Sequence, residues 1–129
     1  MKNISCVLDT SILLVMMDPH DPMYIQAKEK LFSITNDTVH FEIPIICAIE
    51  GLIQNPHPED FIEKLSGIID KRDFELTQKS DLEYISILPL KLRATLKAND
   101  CSVLAISKRL NAQLLTLDKK LLKAYSFLK

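Results

Sequence analysis

Four carboxylates in this sequence stand where a carboxylate can do chemistry: Asp9, Glu50, Asp100 and Asp118. Asp9 directly follows the apolar run Ile4–Leu8, and Asp118 directly follows Gln113–Leu117. Glu50 sits in the apolar stretch Ile45–Ile53, and Asp100 near the start of the segment Asn99–Leu110. Each has an ordinary structural role open to it. Asp9 and Asp118 suit helix N-caps, where Asp accepts backbone N–H bonds. Asp100 suits a cap or a first helical turn, where the helix dipole favours an acid. Glu50 could be a surface glutamate, but a carboxylate among Ile45, Ile46, Ile49, Leu52 and Ile53 is either half buried with a partner or directed into a cleft. Gathered in one crevice, the four would repel and raise each other's pKa values, and a cation removes that conflict. Oxygen ligands without His or Cys select Mg²⁺ or Mn²⁺. Two such ions about 4 Å apart can activate a water and stabilise the leaving oxygen of a phosphodiester. None of His20, His40 and His57 lies near these acids in sequence, which argues against a Ser-His-Asp triad or a histidine-pair nuclease.

The elements that must position these acids can be read from hydropathy period and breakers. Ile4–Leu8 reads as a buried strand, followed by a short helix to Met17 that Pro19 and Pro22 end. Met23–Thr35 has helical period, Asn36-Asp37 makes a turn, and Val39–Ile43 alternates as a strand. Ile45–Ile53 reads as a helix carrying Glu50, and a second helix starts at Pro58 with Glu59 and Asp60 in its first turn. Phe74–Thr77 is a brief strand. Ser80-Asp81 caps a helix to about Leu88, and Pro89 separates it from a helical stretch Leu90–Leu96. A helix from Asn99 to Leu110, a strand from Gln113 to Leu117 and a last helix from Asp118 to Tyr125 complete the chain. Four strands separated by helices imply an α/β fold with a parallel sheet covered on both faces. Ligands bind such sheets outside the carboxyl ends of the strands, so neighbouring first and last strands would point Asp9 and Asp118 into one crevice.

The bulk properties agree with one domain over residues 1–129. The apolar content of 47% is enough for one core, and 26% charged residues is ordinary for a globular chain. Cys6, Cys47 and Cys101 are an odd, widely spaced set with no CxxC pair, and read as buried small hydrophobes in a reducing cytoplasm. The stretch Cys6–Met17 is short and holds Asp9, so it reads neither as a membrane span nor as an export signal. Two glycines, Gly51 and Gly67, exclude a P-loop and a GxGxxG fingerprint. The net charge of −1 hides an asymmetry: residues 1–90 carry 7 Lys/Arg against 15 Asp/Glu, residues 91–129 carry 9 against 2. That asymmetry is either a pair of complementary solvated faces or a surface toward nucleic acid.

Four stretches together resemble the motif series of PIN-domain ribonucleases: V-L-D-T-S-I-L-L at 7–14, I-I-C-A-I-E-G-L at 45–52, N-D-C-S-V-L-A-I-S-K-R-L at 99–110 and L-L-T-L-D-K-K-L at 114–121. The likeness is to VapC-type toxins of prokaryotic toxin–antitoxin pairs, and it spans essentially the whole chain. It implies a three-layer α/β/α sandwich with strand order 3-2-1-4-5, and Mg²⁺- or Mn²⁺-dependent cleavage of RNA in the cytoplasm. It also implies a homodimer and a small antitoxin partner. By motif, Asp9 and Asp100 would hold the metal, and Glu50 and Asp118 would complete the acidic ring. Ser11 and Thr116 match positions that support the site. Only Ser126-Phe127-Leu128 follows the last helix as material for a fifth strand.

An acidic ring repels RNA, so a positive surface must offset it. Lys97, Lys119 and Lys120 are the cations nearest in sequence to the acids, and at least one of them is expected to touch the phosphate backbone. Lys108 and Arg109 lie about 12–14 Å along a helix from Asp100 and are expected to face solvent or a partner. The competing reading is a non-catalytic RNA-binding or assembly module on the same fold, supported by the basic C-terminal third, but a complete acid set has no purpose in passive binding. A receiver lacks its acidic pair here, and a haloacid-dehalogenase-like phosphatase lacks its D-x-D.

Overall fold

The computed structural model describes residues 3–33, 38–68 and 74–128. The chain runs β1 (Asn3–Leu8), α1 (Thr10–Met16), α2 (Tyr24–Phe32), β2 (Thr38–Pro44), α3 (Ile45–Gln54) and α4 (Pro58–Ile68). It continues with β3 (Phe74–Glu75), α5 (Asp81–Ser86), α6 (Leu90–Arg93), α7 (Ala98–Arg109), β4 (Gln113–Leu115) and α8 (Lys119–Leu128). The turn expected at Asn36-Asp37 lies outside the described residues.

Every strand pairing is parallel, in the order β3-β2-β1-β4. β1 is central, and Cys6, Val7 and Leu8 are at most 2% exposed. A strand covered on both faces has no solvent side, which is why its sequence is a continuous apolar run rather than an alternation. Val7 stands level with Glu42 on one side and Leu114 on the other. Parallel strands need right-handed crossovers. The connections β1 to β2 and β2 to β3 step one way, so α1–α4 cover one face. The connection from β3 back past β1 to β4 steps the other way, so α5–α7 cover the opposite face. The direction changes between β1 and β4, and a crevice opens at their carboxyl ends.

The expected order 3-2-1-4-5 is met in its first four positions. Among the described residues no fifth strand follows: Ser126, Phe127 and Leu128 are the last turn of α8, where Leu128 is buried and Ser126 Oγ donates to the Leu122 carbonyl at 3.1 Å. The helical period of Leu121, Ala124 and Leu128 on the core outweighs the short apolar run.

Two local details fix the helices that carry the acids. A Cβ on Gly51 would stand 2.4 Å from Cζ of the fully buried Phe61, so only glycine lets α4 close against α3 beside Glu50. α7 ends on Asn111 with φ 50°, the left-handed conformation that Asn tolerates. Its Val103–Ser107 segment is wholly buried, and the Ser107 hydroxyl is satisfied by the Val103 carbonyl at 2.8 Å. Among the described residues no helix is long and apolar enough to cross a membrane.

Arg109 does not face solvent or a partner, as expected from its place at the far end of α7. Its Nε lies 2.8 Å from Asp81 Oδ1, and its Nη2 lies 3.5 Å from Glu75 and 3.1 Å from the Leu76 carbonyl. Asp81 is fully buried, and its second oxygen accepts the Gln78 N–H at 2.8 Å. Asp81 therefore anchors α5 to α7 instead of acting only as the cap read from Ser80-Asp81.

Candidate active site

β1 and β4 are adjacent and parallel, so Asp9 and the Thr116–Asp118 turn leave the sheet at the same edge. The Asp9 N–H donates to the Leu115 carbonyl at 3.1 Å, extending the ladder by one rung. Asp9 stands at the N-cap of α1 but makes no side-chain capping bond. Its carboxylate is only 7% exposed and takes other donors. Oδ2 accepts the Thr116 hydroxyl at 2.6 Å and the Ser11 hydroxyl at 3.1 Å, and the Cys47 thiol lies 3.9 Å from Oδ1. Burial pushes the Cys47 pKa up to about 12. Burial thus favours the protonated thiol beside Asp9.

Ser11 and Thr116 are held in turn by the backbone. Leu117 N–H donates to Ser11 Oγ at 3.1 Å, and Asp118 N–H donates to Thr116 Oγ1 at 3.0 Å. Both roles expected of Ser11 and Thr116 beside the acids thus have a geometric basis.

Glu50 is half-buried on α3, and its Oε1 accepts the Thr10 hydroxyl at 2.5 Å. Thr10 Oγ1 also lies 3.5 Å from the Cys47 carbonyl, but a hydroxyl has one proton, and the shorter contact holds it. Glu50 is not a surface glutamate. Motif spacing alone does not single out Thr10; its signal in the sequence is a hydroxyl directly after the acid, at the start of a helix.

Asp100 and Asp118 do take the capping roles open to them. Asp100 Oδ2 accepts the Lys97 N–H at 3.2 Å, in the first turn of α7. Asp118 Oδ1 accepts the Lys120 N–H at 2.9 Å and lies 3.4 Å from the Leu121 N–H, at the start of α8. They also share a field with the other two acids. Partial burial raises the Asp100 pKa, and the charges of Asp9, Asp118 and Glu50 raise it further against the lowering by the Lys97 N–H. The charges of the other three carboxylates therefore reach Asp100.

The chemistry of this site fits a hard divalent cation. Its donors are carboxylate and hydroxyl oxygens, and among the described residues Asp9 has no Lys, Arg or His partner. The cage is not closed as it stands: among the described residues no three His, Cys, Asp or Glu side chains are grouped to hold one ion.

Of the three expected RNA-contacting lysines, Lys120 lines a groove beside α8, while Lys97 and Lys119 are exposed outside it.

Comparison with known proteins agrees with this architecture. No characterised protein sequence matches the chain significantly. The crystal structure of VapBC2 from Rickettsia felis, bound to a DNA fragment from their promoter, superposes with a TM-score of 0.66 at 20% identity, over 93% of this chain and 92% of that one. Mycobacterium tuberculosis VapC20, a sarcin-ricin loop cleaving toxin, superposes with a TM-score of 0.70 at 12% identity, over 92% and 94%. At such identities the likeness is one of fold. The PIN domain family matches over residues 6–127, the span that holds the end of β1, all of β4 and all four acids. The chain belongs to the PIN domain family.

Proposed function

We propose that this chain is a Mg²⁺- or Mn²⁺-dependent ribonuclease and the toxin of a toxin–antitoxin pair. The observation that carries the reading is Asp9: a buried carboxylate whose hydrogen-bond partners are neutral hydroxyls and a thiol. A buried charge needs a partner of opposite sign or it neutralises. Asp9, Glu50, Asp100 and Asp118 would hold the cation. Once bound, Mg²⁺ or Mn²⁺ supplies Lewis-acid chemistry toward a phosphodiester. Ser11 and Thr116 fix the Asp9 carboxylate, and Thr10 fixes one oxygen of Glu50, leaving its other oxygen to face the reacting atoms or a cation. Asp118 and Asp100, at two helix starts, would exchange their capping bonds for a ligand.

The likeness to VapC toxins supports RNA as substrate and a small antitoxin as partner. Ile49, Ile53 and Ile62, exposed on the packed pair α3 and α4, support a protein partner, either that antitoxin or a second copy of the chain. Incubation of the purified chain with labelled RNA tests the reading. Cleavage should appear with Mn²⁺, stop in excess EDTA and return on re-addition. RNA binding without cleavage at any metal concentration would favour a passive RNA-binding module instead.

A further inference from the structure

A groove of about 400 Å³ runs between α6 and α8, lined by Pro89, Lys91, Leu92, Thr95, Lys120 and Lys123. Its lining is almost all carbon: the Pro89 ring, the Leu92 side chain and the alkyl stems of the lysines. Leu92 packs on the core from below and fixes the floor. The three lysines are exposed, and among the described residues none forms an ion pair. Three unneutralised ammonium groups above an apolar floor call for a ligand that is polyanionic along one edge and apolar on its faces.

The groove leads into the acids. Lys120 is two residues from Asp118, at most about 7 Å between Cα atoms, and its own N–H is bound by Asp118. Lys123 lies one turn further along α8 on the same side. On the opposite wall, Thr95 leads through Lys97 into α7 and Asp100. A chain seated in the groove is thus delivered to the point where the four carboxylates act.

We infer that this groove binds an unpaired stretch of RNA flanking the scissile bond, with Lys91, Lys120 and Lys123 on its phosphates and Pro89 and Leu92 against its sugar and base faces. The inference rests on the ribonuclease reading for the identity of the polyanion. A duplex keeps its base faces stacked inside and offers the groove only phosphates, so the apolar floor favours an unpaired strand.

The test uses the full chain carrying Asp9→Asn, which removes cleavage but not the groove. Binding of a fluorescent oligouridylate of about 12 nucleotides is followed across a salt titration. Lys91→Ala with Lys123→Ala should weaken binding at least tenfold and flatten the plot of log K against log salt by about 1.4, from roughly 0.7 per phosphate contact on a single strand. Lys91→Arg with Lys123→Arg should restore both, and Lys79→Ala, an exposed lysine outside the groove, should change neither. A blunt RNA duplex of the same length should be affected far less than the oligouridylate. In the catalytic background the Ala pair should raise KM and leave kcat nearly unchanged.

Unchanged affinity and slope overturn the inference, even where the native chain cleaves RNA and the ribonuclease reading stands. Equal loss for duplex and oligouridylate overturns the unpaired-strand assignment. Loss of poly-glutamate binding with oligouridylate binding unchanged overturns it in favour of an acidic protein segment. Loss of oligouridylate binding in a chain that cleaves no RNA upholds the groove and removes the ribonuclease reading instead.

Discussion

Thr116 donates its hydroxyl proton to the Asp9 carboxylate at 2.6 Å, and the direction of that bond is fixed. A backbone N–H can only donate, so the Asp118 N–H, 3.0 Å from Thr116 Oγ1, occupies a lone pair and turns the hydroxyl proton outward to Asp9. Ser11 is set in the same way by the Leu117 N–H and also donates to Asp9 Oδ2. Two backbone amides of the β4–α8 turn thus aim two hydroxyls at one carboxylate oxygen of Asp9, directly after β1. A site assembled from two strands is locked by this relay and not by packing alone.

Thr116→Val keeps the shape and removes the relay. It leaves a buried carboxylate oxygen with one donor fewer and the Asp118 N–H without its acceptor. Stability should fall by about 1–3 kcal/mol in a denaturant melt. Mn²⁺ affinity by calorimetric titration should fall about 10- to 100-fold, the usual effect of removing a group that orients a metal ligand. A Val variant with native stability and native Mn²⁺ affinity would show that the Thr116–Asp9 bond does nothing.

Thr10 plays the corresponding part for Glu50. Thr10→Val should lower the cleavage rate about tenfold or more with little change in melting temperature, and Thr10→Ser should restore it, because the function lies in the hydroxyl. Equal rates for the Val and Ser variants would assign Thr10 to packing.

Asp100 gives a prediction about pH. Its folded-state pKa is raised by partial burial and by the other three acids, so the native state binds its proton more tightly than the unfolded chain does. An acid shifted this way destabilises the metal-free fold above its folded pKa, and the penalty disappears as pH falls through that value to the ordinary carboxylate range. Asp100→Asn keeps an acceptor for the Lys97 N–H and removes the charge. In EDTA it should melt a few degrees above the native chain at neutral pH, and the gap should close in acid. Mn²⁺ should raise the melting temperature of the native chain, by about 2.7 kcal/mol of stability at 100 times Kd, and raise that of the variant much less. A variant that melts lower than the native chain in EDTA would contradict the shared field of the four acids.

Arg109 tests the frame that carries Asp100. Truncating one partner of a buried ion pair strands the other charge. Arg109→Ala should therefore cost about 3–5 kcal/mol in a urea melt, while Lys108→Ala, its half-buried neighbour on α7, should be near neutral. Equal effects would mean that Asp81 tolerates the loss of its partner.

These contacts mark where the sequence was readable and where it was not. The run Cys6-Val7-Leu8 declares a central parallel strand because both its faces are covered, and the acid that follows it must then stand at the strand's carboxyl end. Motif spacing singles out Asp9, Ser11, Glu50, Asp100, Thr116 and Asp118 as one set. What one sequence does not reveal is which charges meet across the fold. Arg109 and Asp81 are 28 positions apart with no shared motif, and only the packing of α5 on α7 joins them. The same holds for Lys91 and Lys123, which face one groove from two helices, whereas nearness in sequence pointed to Lys97 and Lys119. Ser126-Phe127-Leu128 shows the limit of short apolar runs: three residues fit a strand or a helical turn, and the preceding helix decides.

The most direct test of the central claim is single-turnover cleavage of labelled RNA by Asp9→Asn beside the native chain, in Mn²⁺ and in excess EDTA. Circular dichroism and a thermal melt would establish that the variant is folded. Asn preserves the size of Asp9 and can still accept from Ser11 and Thr116, but it carries no charge to hold a cation. The native chain should cleave in Mn²⁺ and stop in EDTA, and the folded variant should be slower by about 100-fold or more in Mn²⁺. Full activity of the folded Asn variant, or native cleavage undiminished in EDTA, would contradict the account.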